Sequence, residues 1–180
     1  MPELNASDVS SYTGGRLAAD SPATGRLLGM ALEAARNYCR WHVAPVRTAD
    51  PFKLDGSGGR VLLLPTLALQ TLDSLLEDGA AVDVQTVLRV SDDGHRVAKR
   101  SGAFWTAEIG AIEGTMTHGI ETCYGFDEAV LGLLDRISYG PTGGRARAIG
   151  PIQYADDGPA DPFTGQERAL LDPYRIELLA

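Results

Sequence analysis

Cysteine is scarce, with Cys39 and Cys123 alone among 180 residues, and aromatic residues make up only 7%. Two cysteines cannot build the disulfide framework of a small secreted domain, so the expectation is a protein made in a reducing compartment. Long apolar runs are missing as well. The longest, Val61-Leu62-Leu63-Leu64, is far short of the roughly 20 residues a membrane span needs. Residues 1–11 are polar and lack a basic n-region and an apolar h-region, so no signal peptide is expected. Basic charge is outnumbered: 16 Lys and Arg against 24 Asp and Glu leave a net charge of −8. Only Lys99-Arg100 and the pair Arg145 and Arg147 approach a cluster. That is no footprint for sequence-specific DNA binding, although an acidic wall past which DNA slides is compatible with it.

What is present suits one domain with a real core, since 44% of the residues are hydrophobic. Helical signals come first. Asn5-Ala6-Ser7-Asp8 supplies caps for a short helix over 5–13, which Gly14-Gly15 stops. Ser21-Pro22 opens a longer helix over 22–42, with Leu27, Ala31, Ala34, Ala35, Tyr38 and His42 on one side. Leu28, Leu32 and Trp41 widen that stripe. From 43 to about 119 the composition turns strand-like, with strands expected over 43–52, 60–64, 84–90 and 110–118, and a less clear-cut one over 67–76. Gly- and Asp-rich turns separate them. A third helix is expected over 126–139, its stripe being Ala129, Val130, Leu133, Leu134 and Ile137.

The chemistry-bearing candidates are thin. Cys39-x-x-His42 with His118-x4-Cys123 is the sharpest metal pattern, because zinc takes thiolates and imidazoles tetrahedrally. The two pairs are far apart and lack knuckle spacing, and cysteine is common in ordinary cores. The loop Gly56-Ser57-Gly58-Gly59 precedes a strand rather than a helix and carries no lysine, so it reads as a turn and not as a phosphate cradle. No G-x-S-x-G elbow is present. The acid pairs Asp92-Asp93 and Asp156-Asp157 read as turn caps, and His95 as an exposed residue after a turn. The reading is therefore no enzyme, no catalytic residue, no metal and no cofactor.

The tail is more informative. Residues 140–162 are rich in glycine and proline, as an extended arm would be, yet the tail carries Ile149, Pro151, Ile152, Tyr154, Phe163, Leu170, Leu171 and Tyr174. Thr164 and Glu167 have the spacing of a capping box for a short last helix. Such a tail either folds back on its own domain or docks on a partner.

The order of these parts resembles the head-to-tail adaptor (head–tail connector) proteins of long-tailed bacteriophages, above all those of mycobacteriophages and related actinobacterial phages. The resemblance is carried by LLGMALEAARNYCRWHVAPV (27–46), LDGSGGRVLLLP (54–65), Thr115-Met116-Thr117-His118-Gly119 with the helix after it, and FTGQERALLDPYRI (163–176). It implies an α+β fold: a small helical bundle with a β-rich insertion, together the adaptor domain (1–139), and an extended C-terminal arm (140–180). It also implies a structural virion protein of the head–tail neck, made in the host bacterial cytoplasm. Twelve neighbouring copies would form a ring beneath the portal protein, receive a stopper or tail-terminator protein, and extend a channel for DNA without binding it specifically. No membrane is involved. The arm would bind the portal through Ile149, Pro151, Ile152, Tyr154, Phe163, Leu170, Leu171 and Tyr174. Neighbours would pack through Leu27, Leu28, Ala31, Leu32, Tyr38, Trp41, Val130, Leu133 and Leu134. The alternatives are a stopper or tail-completion neck protein and, more remotely, a small metal-dependent enzyme.

Overall fold

The computed structural model describes residues 3–92, 94–139 and 162–177 of the chain, an α+β structure in two compact units. One is built on Arg40–Thr122 and is mainly β; the other combines the described parts of Pro2–Cys39 and Cys123–Arg175 and is helical. No helix among the described residues is long and apolar enough to cross a membrane.

The helical unit follows local signals. α1 (Ala6–Tyr12) starts at Asn5, whose side chain accepts from the backbone of Ser7 and Asp8 while Asp8 returns the bond, a capping box. α2 (Pro22–Cys39) begins with proline at its first position, where the missing N–H costs nothing. It ends three residues before the expected 42 because Arg40 takes a left-handed backbone, φ 68°. α4 (Tyr124–Ile137) buries Phe126, Ala129, Val130, Leu133 and Leu134. α5 (Gly165–Leu171) opens with the Thr164–Glu167 capping box, and a 3-10 turn, Asp172–Tyr174, follows it. Burying large apolar side chains such as Phe126, Leu134 and Leu171 contributes roughly 1.5–3 kcal/mol each.

The β unit depends on distant pairings. Its larger sheet has the order β1-β7-β3-β4, all antiparallel, with β1 Arg47–Leu54, β3 Leu69–Glu77, β4 Ala80–Ala81 and β7 Ile112–His118. Pro51, which has no N–H for a ladder, sits on the edge strand β1. β7 lies between β1 and β3, and Gly114 faces Phe52 on one side and Leu75 on the other. A Cβ there would stand 2.4 Å from the Ser74 carbonyl oxygen and 2.9 Å from the Phe52 ring, so only glycine lets the strands close. The smaller sheet has the order β2-β6-β5, from Val61–Leu63, Arg96–Lys99 and Leu88–Val90. Leu62, Leu64, Leu72, Leu75, Leu88, Val97, Trp105, Ile112 and Met116 form one core cluster with contributions from both sheets.

Two strand expectations need correction. The segment 84–90 is not one strand: Val84–Val87 is a helical turn, α3, and only Leu88–Val90 is extended. Asp83 is the cause, since its Oδ1 accepts from the backbone N–H of Gln85 and Thr86 and its Oδ2 from the Thr86 hydroxyl at 2.6 Å. The first strand begins at Arg47 rather than 43. β6, at the centre of the small sheet, carried no strong periodic signal, because Arg96 and Lys99 flank only two apolar residues.

Candidate assembly surfaces

The residues expected to pack neighbouring copies are largely turned inward. Leu28, Ala31, Leu32, Val130, Leu133 and Leu134 are buried, as is Trp41 in the β unit. Their side chains pack mainly within the protomer, and of these Leu28 and Leu32 also line a groove on its surface. Leu27 and Tyr38 are half-buried. Tyr38 holds the last segment: its hydroxyl donates to Asp172 Oδ1 at 2.6 Å, its ring meets Phe163 edge-on at 5.6 Å, and Arg175 lies over its face.

The tail residues divide. Ile149, Pro151, Ile152 and Tyr154 lie outside the described residues. Phe163 and Leu171 are buried within the helical unit, so this part of the tail folds back on its own chain, while Leu170 is exposed and Tyr174 half-buried. α5 is fastened by a polar clasp that sequence reasoning missed. Arg136 Nη1 and Nη2 donate to Glu167 Oε1 and Oε2 at 2.6 and 2.8 Å, and Nη2 also donates to the Pro162 carbonyl at 2.8 Å. Burial pushes the Glu167 carboxyl up, but the bonds from Arg136 and Thr164 outweigh it and hold the group below the ordinary 4.5. Gly132 makes room, because a Cβ there would stand 2.9 Å from Glu167 Oε1. The capping box was legible; the second partner of Glu167, 31 residues away, was not.

The four residues of the Cys/His pattern each have other contacts. Cys39 and Cys123 are buried in the helical unit. Burial, with a contribution from Cys123, pushes the Cys39 thiol up to about 12, which opposes the thiolate that zinc requires. Tyr174 hydrogen-bonds Cys123 and is raised to about 12 by that bond and by burial. In the β unit, His118 Nε2 lies 3.1 Å from Asp50 Oδ2, and this bond, reinforced by Arg47, holds the Asp50 carboxyl low against its partial burial. The His42 ring meets His118 edge-on at 6.0 Å, and its Nε2 lies against the Pro45 carbonyl. Among the described residues, no group of three or more His, Cys, Asp or Glu is placed to hold an ion.

Two surface features stand out among the described residues. The first is a groove of about 510 Å³ on the helical unit, floored by Leu28 and Leu32 and lined also by Gly25, Gly29, Glu33 and Arg36. Gly25 and Gly29 stand inside α2, where each costs about 1 kcal/mol against alanine, yet a Cβ at either would meet nothing within 4 Å. Glycines inside an expected helix, away from its ends, were the sequence signal for this groove. The second is the outer face of the small sheet. Val61 and Leu63 are exposed there, in register with Ala98 and Arg96, and Ala98 faces Arg89. Beside β2, Phe104 is 60% exposed with the Arg60 guanidinium over its ring at 5.1 Å.

No family model matches the sequence, and no curated protein matches it either. Solved structures do match the fold. A chain from the neck of a native gene transfer agent particle, computed with C12 symmetry, superposes with a TM-score of 0.63 at 14% identity, covering 99% of this chain and 95% of that one. A chain from the neck of the empty particle, computed with C6 symmetry, gives 0.61 at 17% identity, covering 98% of this chain and 91% of that one. A chain from the virion of the native particle gives 0.60 at 17% identity over the same shares. At such identities the likeness is one of fold, and it extends over both units.

Proposed function

We propose that this chain is a structural neck protein of a phage-like particle, the adaptor that forms a ring between portal and tail. The observation that carries this reading is the end-to-end match to a neck chain computed with C12 symmetry. The order of helices, β insertion and tail supports it independently. In this reading twelve copies close by a head-to-tail contact, in which one patch meets a different patch on the next copy. The net charge of −8 suits a channel wall that phosphate does not stick to. A stopper or tail-completion protein would share the size and β content, but the long Gly- and Pro-rich stretch 140–161, with Ile149, Ile152 and Tyr154 in it, favours the adaptor.

The portal contact in this proposal falls on Ile149, Pro151, Ile152 and Tyr154, together with exposed Leu170 and half-buried Tyr174, because Phe163 and Leu171 are committed to the helical core. Removing everything after Tyr139 would therefore damage that core as well. A cleaner variant replaces 140–161 by a short Gly/Ser linker. Pro162 is held by Arg136, three residues before Tyr139, so a short bridge can close the gap. The test is co-sedimentation with the portal protein of the same genome. Wild type is expected in a stoichiometric ring-on-ring complex, and the linker variant is expected to stay folded but lose the portal. A folded wild type that ignores the portal would move the assignment to the stopper or tail-completion class.

A further inference from the structure

We infer that the α2 groove of one copy receives Phe104 and Arg60 of the next copy, and that this contact closes the ring; the inference rests on the adaptor reading. On α2 the residues 25, 29, 33 and 37 form one ridge and 28, 32 and 36 the next. Glycine at 25 and 29 lowers the first ridge for two turns and opens the way to Leu28 and Leu32. Among the described residues nothing stands within 4 Å of a Cβ built at either glycine, so the helix carries two unfavourable residues with no return from that part of the chain. On the rim Glu3 and Arg36 pair with each other, and Glu33 adds a second exposed carboxylate.

The occupant must be apolar and bring positive charge. Phe104 meets both demands, since Arg60 covers its ring and Arg89 and Arg96 stand on the adjoining sheet face with Val61 and Leu63. Its presentation is fixed: the Phe104 carbonyl accepts from Lys99 Nζ at 3.0 Å, and Trp105 N–H donates to Gly59 at 2.8 Å. Ile109 is more exposed, at 88%, but it follows Glu108, which repeats the sign of the rim. Groove and knob are different patches, carried by different units of the chain, as a head-to-tail ring contact requires.

The test uses two full-length variants, Gly29→Leu, which fills the groove, and Phe104→Ala, which removes the knob. Thermal melts confirm folding, because the Gly29 Cβ points into open space and Phe104 is exposed. Self-association is read by sedimentation and cross-linking, alone and with the portal ring. Each variant is expected to lose self-association at least tenfold. Their mixture is expected to give a 1:1 pair and nothing larger, since one retains the knob and the other the groove. Variants that assemble like wild type overturn this contact and leave the ring reading standing. Two defective variants whose mixture forms no pair also overturn it, because Gly29 and Phe104 then do not meet. A wild type that never self-associates, even on the portal, overturns the ring reading and this contact with it.

Discussion

Each unit of the molecule fastens an irregular segment with one nearly buried ion pair, and the two pairs work differently. In the helical unit the planar fork of Arg136 makes two parallel bonds to Glu167 and spares a third for Pro162. In the β unit Lys99 Nζ reaches Glu77 Oε2 at 2.6 Å, donates to the Phe104 carbonyl and lies 4.6 Å from the centre of the Trp105 ring. Glu77 keeps a second donor, the Thr106 N–H at 2.9 Å. The arginine pair is therefore a geometric lock. The lysine pair is a point charge shared among acceptors and backed by backbone. Loss of either cation leaves the carboxylate one backbone donor, Thr164 N–H at 2.7 Å or Thr106 N–H at 2.9 Å, but Glu167 gives up two charged bonds where Glu77 gives up one.

The largest effect should come from removing the lock. Arg136→Ala leaves Glu167 with only its cap bonds and should cost about 3 kcal/mol in urea unfolding, the size found when a buried pair loses one partner. Arg136→Lys should recover less than half of that, since an ammonium cannot reproduce the fork. Lys99→Ala should cost only about 1–2 kcal/mol, because Glu77 then gives up a single charged bond. Equal losses from the two alanine variants would break the comparison.

Acid sharpens it next. The folded Glu167 lies below the ordinary 4.5, so its stabilisation is complete above that value and is lost as pH falls through the folded value. Melting temperature should drop over that window in wild type, and Glu167→Gln should flatten the drop. An identical acid profile in the variant would remove Glu167 from the account. The smallest effect concerns Asp127, whose carboxyl is raised by partial burial and then by nearby Asp8. With its folded value raised, the charged form is disfavoured, and stability is gained as pH falls through that value. Asp127→Asn should raise stability at neutral pH by about 0.3 kcal/mol, with a matching small rise in melting temperature. A lower melting point would show that its position near the start of α4 matters more than the repulsion.

The helical unit was the more legible of the two because its signals are local. Asn5, Pro22 and the Thr164–Glu167 pair act within one turn of themselves, and the stripe from Ala129 to Leu134 follows the helical period. The β unit hides its organisation in separation. Arg47 pairs with His118 and Leu54 with Ile112, and no local pattern announces a partner so far along the chain. Asp83 shows the opposite failure, where a side chain bonding its own backbone overrode a strand-like composition.

By itself the sequence determined the α+β class, the caps, the apolar faces and the shortage of basic charge, because each follows from residue type and spacing over a few positions. Only the tertiary structure decided that Phe163 and Leu171 are spent inside the helical unit, that Leu28 and Leu32 floor an open groove, and that Phe104 stands outward under Arg60. The physical reason is that periodicity identifies a face that avoids water. Which neighbour covers that face is set by chain closure and by the pairing of groups distant in sequence.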